Sequence, residues 1–176
     1  MMKKSVLALM LGIFAVISVS AQSRASNFLG AWKLAKIEGD TKKLGILSVD
    51  LNVSQAGDEI RIERNSQVVF NKRRFSRSQS DSYKSDGKVS VSLSGGITGG
   101  QMHSQLRLLA ADKLRFDISF DGDYGDEENR EIWSLSDDGK TLTVESYFTR
   151  TNNFVPLARL NDVRQGSYWK MIFSRQ

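Results

Sequence analysis

Three groups of residues are of a type and spacing that could do chemistry. The first is Asp121-Gly122-Asp123-Tyr124-Gly125-Asp126-Glu127-Glu128. Alternating carboxylates of this kind can wrap a calcium ion in oxygen ligands. An EF-hand loop beginning at Asp121 would need an acid where Gly125 stands and a bidentate Glu where Ile132 stands. The stretch is therefore expected to be a solvated hairpin loop, and no metal site is assigned. The second group is Lys72-Arg73-Arg74-Phe75-Ser76-Arg77, with Arg61 and Arg64 just before it. Such a basic hairpin could make peripheral contact with an anionic envelope surface of lipid headgroups or polysaccharide. It could equally be a charged edge that discourages strand-to-strand aggregation. The third is His103, the only histidine, which alternates with Met102, Ser104 and Leu106 and falls on the polar face. It has no Cys partner and no base–nucleophile spacing, so no catalytic residue, enzyme activity or cofactor is assigned.

The elements that must position these residues are strands. Leu47, Val49, Leu51 and Val53 alternate with Ser48, Asp50, Asn52 and Ser54. Leu114, Phe116, Ile118 and Phe120 alternate with Arg115, Asp117, Ser119 and Asp121, and Trp169, Met171 and Phe173 continue the pattern. A period of two gives each strand one dry and one wet face. The expected strands are 31–38, 47–54, 60–66, 68–77, 88–94, 102–109, 113–121, 129–135, 141–149 and 167–174. Turn chemistry separates them at Ala56-Gly57-Asp58, Ser85-Asp86-Gly87-Lys88 and Asp137-Asp138-Gly139-Lys140, where Gly139 is expected to be left-handed. Residues 39–46, 78–84, 95–100, 122–128 and 152–166 are expected to be irregular, with a short helix around 157–163. An antiparallel meander of this length must close into a barrel or fold into a β-sandwich, since a flat open sheet would leave adhesive edges. The fold class is all-β: an up-and-down barrel of about 8–10 strands, with a β-sandwich as the alternative.

The N-terminus is of another kind. Lys3 and Lys4 precede an apolar run from Val6 to Val19, and Val19-Ser20-Ala21 offers a signal-peptidase site. Residues 1–21 are expected to be a Sec-type signal peptide, 22–26 a short N-terminal segment, and 27–176 one barrel domain. The product would be periplasmic or extracellular. No Cys follows the apolar run, so it would not be a lipoprotein. The whole chain of 176 residues carries a net charge of +5, falling to +3 without Lys3 and Lys4, too mild an excess to imply nucleic acid. With no Cys at all, disulfides, thiolate chemistry and Cys-based metal sites are excluded.

On this architecture the segment Phe28-Leu29-Gly30-Ala31-Trp32-Lys33-Leu34 resembles the first strand of the calycin superfamily, which includes lipocalins and intracellular fatty-acid-binding proteins. The late segments Glu131–Val144 and Tyr168–Arg175 are similar to those of small secreted bacterial lipocalin-like proteins. The resemblance implies a closed barrel in which Trp32 plugs the base and Arg175 of the last strand stacks on its indole. It also implies a binding module for a small hydrophobic molecule or lipid. The interior stripe lining the site would be Trp32, Leu51, Leu106, Phe116, Ile118, Phe120 and Trp169. Departures are clear: the segment 39–46 is too short for a helical lid, and Trp169–Arg175 lacks the Arg-x-Tyr pair that grips fatty-acid carboxylates. The alternative is a barrel filled by its own side chains and acting through its surface as a structural or interaction module.

Overall fold

In the computed structural model, residues 25–39, 45–70, 72–93, 100–122, 125–152 and 164–176 are described. They form a 3-10 turn, Ser26–Phe28, and ten strands: β1 (Gly30–Gly39), β2 (Ile46–Ala56), β3 (Glu59–Phe70), β4 (Arg73–Lys84), β5 (Ser90–Leu93), β6 (Gly100–Ala110), β7 (Lys113–Gly122), β8 (Gly125–Leu135), β9 (Thr141–Asn152) and β10 (Arg164–Arg175). All pairings are antiparallel, in the order β4-β3-β2-β1-β10-β9-β8-β7-β6-β5. Every consecutive pair is hydrogen-bonded except β4 and β5, while the first and last strands join each other. The result is a nearly closed up-and-down barrel rather than a sandwich. Its seam lies between β4 and the short β5, where the Tyr83 ring meets Phe116 edge-on at 4.8 Å and Gln105 Nε2 donates to the Gly87 carbonyl at 2.7 Å.

The alternation seen in the sequence fixes which face is which. Val49, Leu51 and Val53 of β2, Leu114 and Phe116 of β7, and Met171 and Phe173 of β10 are all buried inward. Full burial of one such side chain contributes about 1.5–3 kcal/mol. The outward neighbours, such as Asp50, Asn52, Arg61, Glu63 and Arg107, are polar, so these walls lack the apolar band of a membrane-spanning barrel. No helix among the described residues is long and apolar enough to cross a membrane.

One end is packed shut. Trp32 is 1% exposed and donates from Nε1 to the Phe28 carbonyl at 3.0 Å. The Arg175 guanidinium lies 4.6 Å from the Trp32 ring centroid and also donates to the Asn27 carbonyl. Asn27 reaches the carbonyl of Ala111 in the β6–β7 turn. The turns at Gly57, Gly87 and Gly139 lie at this end, all with positive φ, and Gly139 at 66° is left-handed as its turn chemistry requires.

Several boundaries differ from the sequence reading. The turn expected near residue 67 falls instead beyond Phe70, and Lys72 has a φ of 64°. Residues 78–84, expected to be irregular, complete β4. Their backbone is paired residue for residue with β3, from Ser78↔Asn65 to Lys84↔Glu59. The acidic stretch is also mostly strand, with Asp121↔Asp126 and Phe120↔Glu127 facing each other across β7 and β8. In both cases the ladder supplies the order that a mixed or polar side-chain pattern does not advertise. The signal peptide, the expected helix around 157–163, and residues Asp123 and Tyr124 lie outside the described residues.

Candidate functional site

The lumen holds an ion pair that spans it. Arg64 is on β3 and Glu131 on β8, five ladder steps apart in a ten-strand ring, so they reach from opposite walls. The pairing is bidentate: Nη1 donates to Oε1 at 2.7 Å and Nη2 to Oε2 at 2.6 Å. Trp133, two residues along β8 on the same face, donates from Nε1 to Oε2 at 2.9 Å. The Arg64 guanidinium lies 5.9 Å from the centroid of that indole. Glu131 is 2% exposed. Burial alone would raise its pKa. The charge of Arg64, its hydrogen bonds, and those from Trp133 and Asn129 outweigh burial and hold the carboxyl below its ordinary value. Arg64 is correspondingly held in its charged form, because the pull of Glu131 outweighs the cost of desolvation. Burial, with the charges of Asp81 and Glu131, pushes the nearby Tyr83 phenol up and keeps it protonated.

Beside this staple lies a cavity of about 300 Å³. Much of its lining is apolar, including Val49, Leu51, Ile118, Val144, Trp169, Met171 and Phe173. The polar lining residues are Arg64, Ser66, Arg77, Gln79, Asn129 and Glu131. Each residue gets its place from strand parity. Arg64 shares a face with Ile60 and Ile62 on β3, and Arg77 and Gln79 lie across the ladder from Ser66 and Arg64. Asn129, Glu131 and Trp133 share a face of β8, across from Ile118, Phe116 and Leu114. The volume is at the small end of the range for ligand sites, and the mixture of apolar wall with a few convergent polar groups is typical of them.

The interior stripe expected from the sequence divides. Leu51, Ile118 and Trp169 line this cavity. Leu106 and Phe116 are buried in the packed core, Trp32 plugs the closed end, and Phe120 packs at the far end of β7 against Gly100, where a Cβ would come within 2.7 Å of its ring. The structure brings Trp32 and Arg175 together at the closed end. Arg64 is not part of a surface hairpin as its basic neighbours suggested, since it turns inward to Glu131. The sequence reading missed Arg64, Asn129 and Glu131 as lumen residues. The available signal was parity with Ile62 and Trp133, and it was overridden by their charge or polarity.

The remaining basic residues of the hairpin are exposed, Arg77 at the mouth of the cavity that it helps to line. Lys72, Arg73, Arg74 and Arg77 are exposed and make no ion pair among the described residues, and Phe75 between them is 49% exposed. His103 sits on the outer side of β6, opposite Val91 and Ser119. No group of three or more His, Cys, Asp or Glu that could hold a metal occurs among the described residues.

No protein-family model matches the chain, and comparison with curated proteins finds no match. A solved structure described as "Structure of EF1p2_mFAP2b bound to DFHBI" overlaps 87% of this chain and 97% of its own, with a TM-score of 0.44 and 11% sequence identity. An overlap that loose carries neither a family nor a ligand to this chain.

Proposed function

We propose that the chain is an exported, calycin-like barrel that binds a small, largely apolar molecule in its lumen. The observation that supports this reading is the half-open cavity of about 300 Å³ in the lumen, walled by Trp169, Met171, Phe173 and the aliphatic residues of β2, β7 and β9. Binding rather than catalysis is favoured because Glu131, the one deeply buried acid among the described residues, is held ionised by a bidentate partner instead of being poised to exchange a proton. Native mass spectrometry of protein purified from its expressing cells, before and after solvent extraction, tests the reading. The expected spectrum shows a chain beginning at Gln22, with a stoichiometric extra mass that leaves with the solvent. A chain that retains Met1 would contradict export. A clean mass that stays clean after incubation with compact aromatic compounds would contradict the binding reading.

A second, independent reading concerns the outer surface. Lys72, Arg73 and Arg74, which make no ion pair among the described residues, surround a half-exposed Phe75 in a hairpin tip suited to an anionic lipid surface. Each basic residue at such a surface contributes about 1 kcal/mol, so reversing Arg73 and Arg74 to Glu is expected to lower partitioning onto phosphatidylglycerol vesicles by about 30-fold or more. Cosedimentation measures it. Equal partitioning of the two proteins, or equal partitioning onto neutral vesicles, would assign the cations to edge protection instead.

A further inference from the structure

The lining of the cavity is not charge-balanced. Its ionisable residues, among those described, are Arg64, Arg77 and Glu131. Arg64 and Glu131 neutralise each other at 2.6 Å. The Arg77 guanidinium has neither an ion pair nor a hydrogen bond among the described residues. The acid that follows it along the inner face of β4 is Asp81, across the ladder from the buried Ile62. Both oxygens of Asp81 accept from Gln79 Nε2, at 3.2 and 3.0 Å. One positive charge is left over at this site.

The ladder puts that charge at the rim of the lumen. Arg77, Ser66 and Val49 form one row across β4, β3 and β2, and Gln79, Arg64 and Leu51 form the next row towards the closed end. Cross-strand partners project from the same face, so Arg77 belongs to the lumen side although it is exposed. Two residues along a strand span about 7 Å, so an anion held at Arg77 stands one row away from the Glu131 carboxylate, which Arg64 already masks. A lone cation in water holds an anion only weakly. Here an apolar wall begins on the same row, at Val49, and continues in Met171 and Trp169. The charged end and the apolar body of one molecule are thus served together.

We propose that the cavity takes a compact organic carboxylate, with its charged group on Arg77 at the mouth and its apolar body against Val49, Met171 and Trp169. Planar, bidentate pairing of guanidinium with carboxylate favours this anion. The proposal rests on the binding reading above and specifies its ligand.

The test is isothermal titration with three probes of one shape: 2-naphthoate, 2-naphthamide and 2-methylnaphthalene. The naphthoate is expected to bind about five-fold or more tightly than either neutral probe, the effect of one half-solvated charge pair. That preference is expected to shrink between about 0.05 and 0.5 M sodium chloride, because the pair lies at the mouth. In Arg77→Gln the ratio of naphthoate to naphthamide affinity is expected to fall to about one, and in Arg77→Lys to stay above it. Arg77 is exposed, so these variants are expected to fold. Equal binding of naphthoate and naphthamide by the wild type, or a preference that survives Arg77→Gln, would overturn the proposal and leave the binding reading in place. Binding of none of the three would overturn both.

Discussion

Glu131→Ala is expected to destabilise the protein by about 3–5 kcal/mol, because it leaves the Arg64 charge largely buried with no counter-ion and removes the acceptor of the Trp133 indole. Arg64→Ala should cost nearly as much, since the Glu131 side chain is only 3% exposed and cannot recover solvation. The double replacement Arg64→Met with Glu131→Leu is expected to recover most of that loss, to within about 1–2 kcal/mol of wild type, since a well-packed apolar pair avoids the desolvation of both charges. Urea unfolding of the four proteins measures these differences, and single variants as stable as wild type would dissolve the staple. Acid gives an independent reading. The Glu131 carboxyl is held below its ordinary value of 4.5 in the folded state. Its contribution is therefore fully present above pH 4.5 and is lost as the pH falls through the lower, folded value. The stability gap between wild type and Glu131→Gln should narrow below pH 4.5 and stay constant from pH 5 to 8. The Glu38 and Asp86 carboxyls, bonded to Lys36 and Lys88 on the surface, are likewise held below their ordinary values, and salt screens these exposed pairs far more than the buried one.

Trp32→Ala is expected to cost about 3–5 kcal/mol, the range for deleting a fully enclosed indole. The loss is concentrated at the closed end. Trp32 fills it, its N–H satisfies the Phe28 carbonyl, and Arg175 covers its face while tying down Asn27. Arg175→Ala removes the cation but leaves the plug, so it should cost only about 1–2 kcal/mol. Unfolding followed by far-ultraviolet circular dichroism separates the two, since fluorescence would change with the tryptophan itself. If Trp32→Ala cost no more than Arg175→Ala, the indole would be an ordinary wall residue rather than a plug.

The sequence carried the strands well where one face was dry. Val49, Leu51 and Val53 announce β2, and Phe116 and Ile118 announce β7, because burial on one face imposes a period of two. It carried the turn at Gly139 for the same kind of reason, a φ that other residues tolerate poorly. It failed where order comes from the ladder. The run from Ser78 to Ser82 has little hydrophobic signal, and only its pairing with β3 makes it a strand. The site was least legible of all. Arg64 and Glu131 lie 67 residues apart, and each reads as a surface charge until the ring order places β3 opposite β8. A buried charge can be understood only with its partner, and alternation names the wall that a residue faces without naming what faces it.

The most direct test of the binding reading is to fill the cavity. Val49 is a buried wall residue of β2, and Val49→Phe would place a ring in the void. Isothermal titration of 2-naphthamide and 2-methylnaphthalene into both proteins is the measurement, with thermal melting alongside. The expected result is saturable binding of at least one probe by the wild type, weakened about ten-fold or more in Val49→Phe, while the melting temperature holds or rises because overpacking is relieved by existing space. Equal binding by the two proteins would place the ligand outside the lumen. No binding by either, with Val49→Phe clearly less stable, would mean that the barrel is filled by its own side chains.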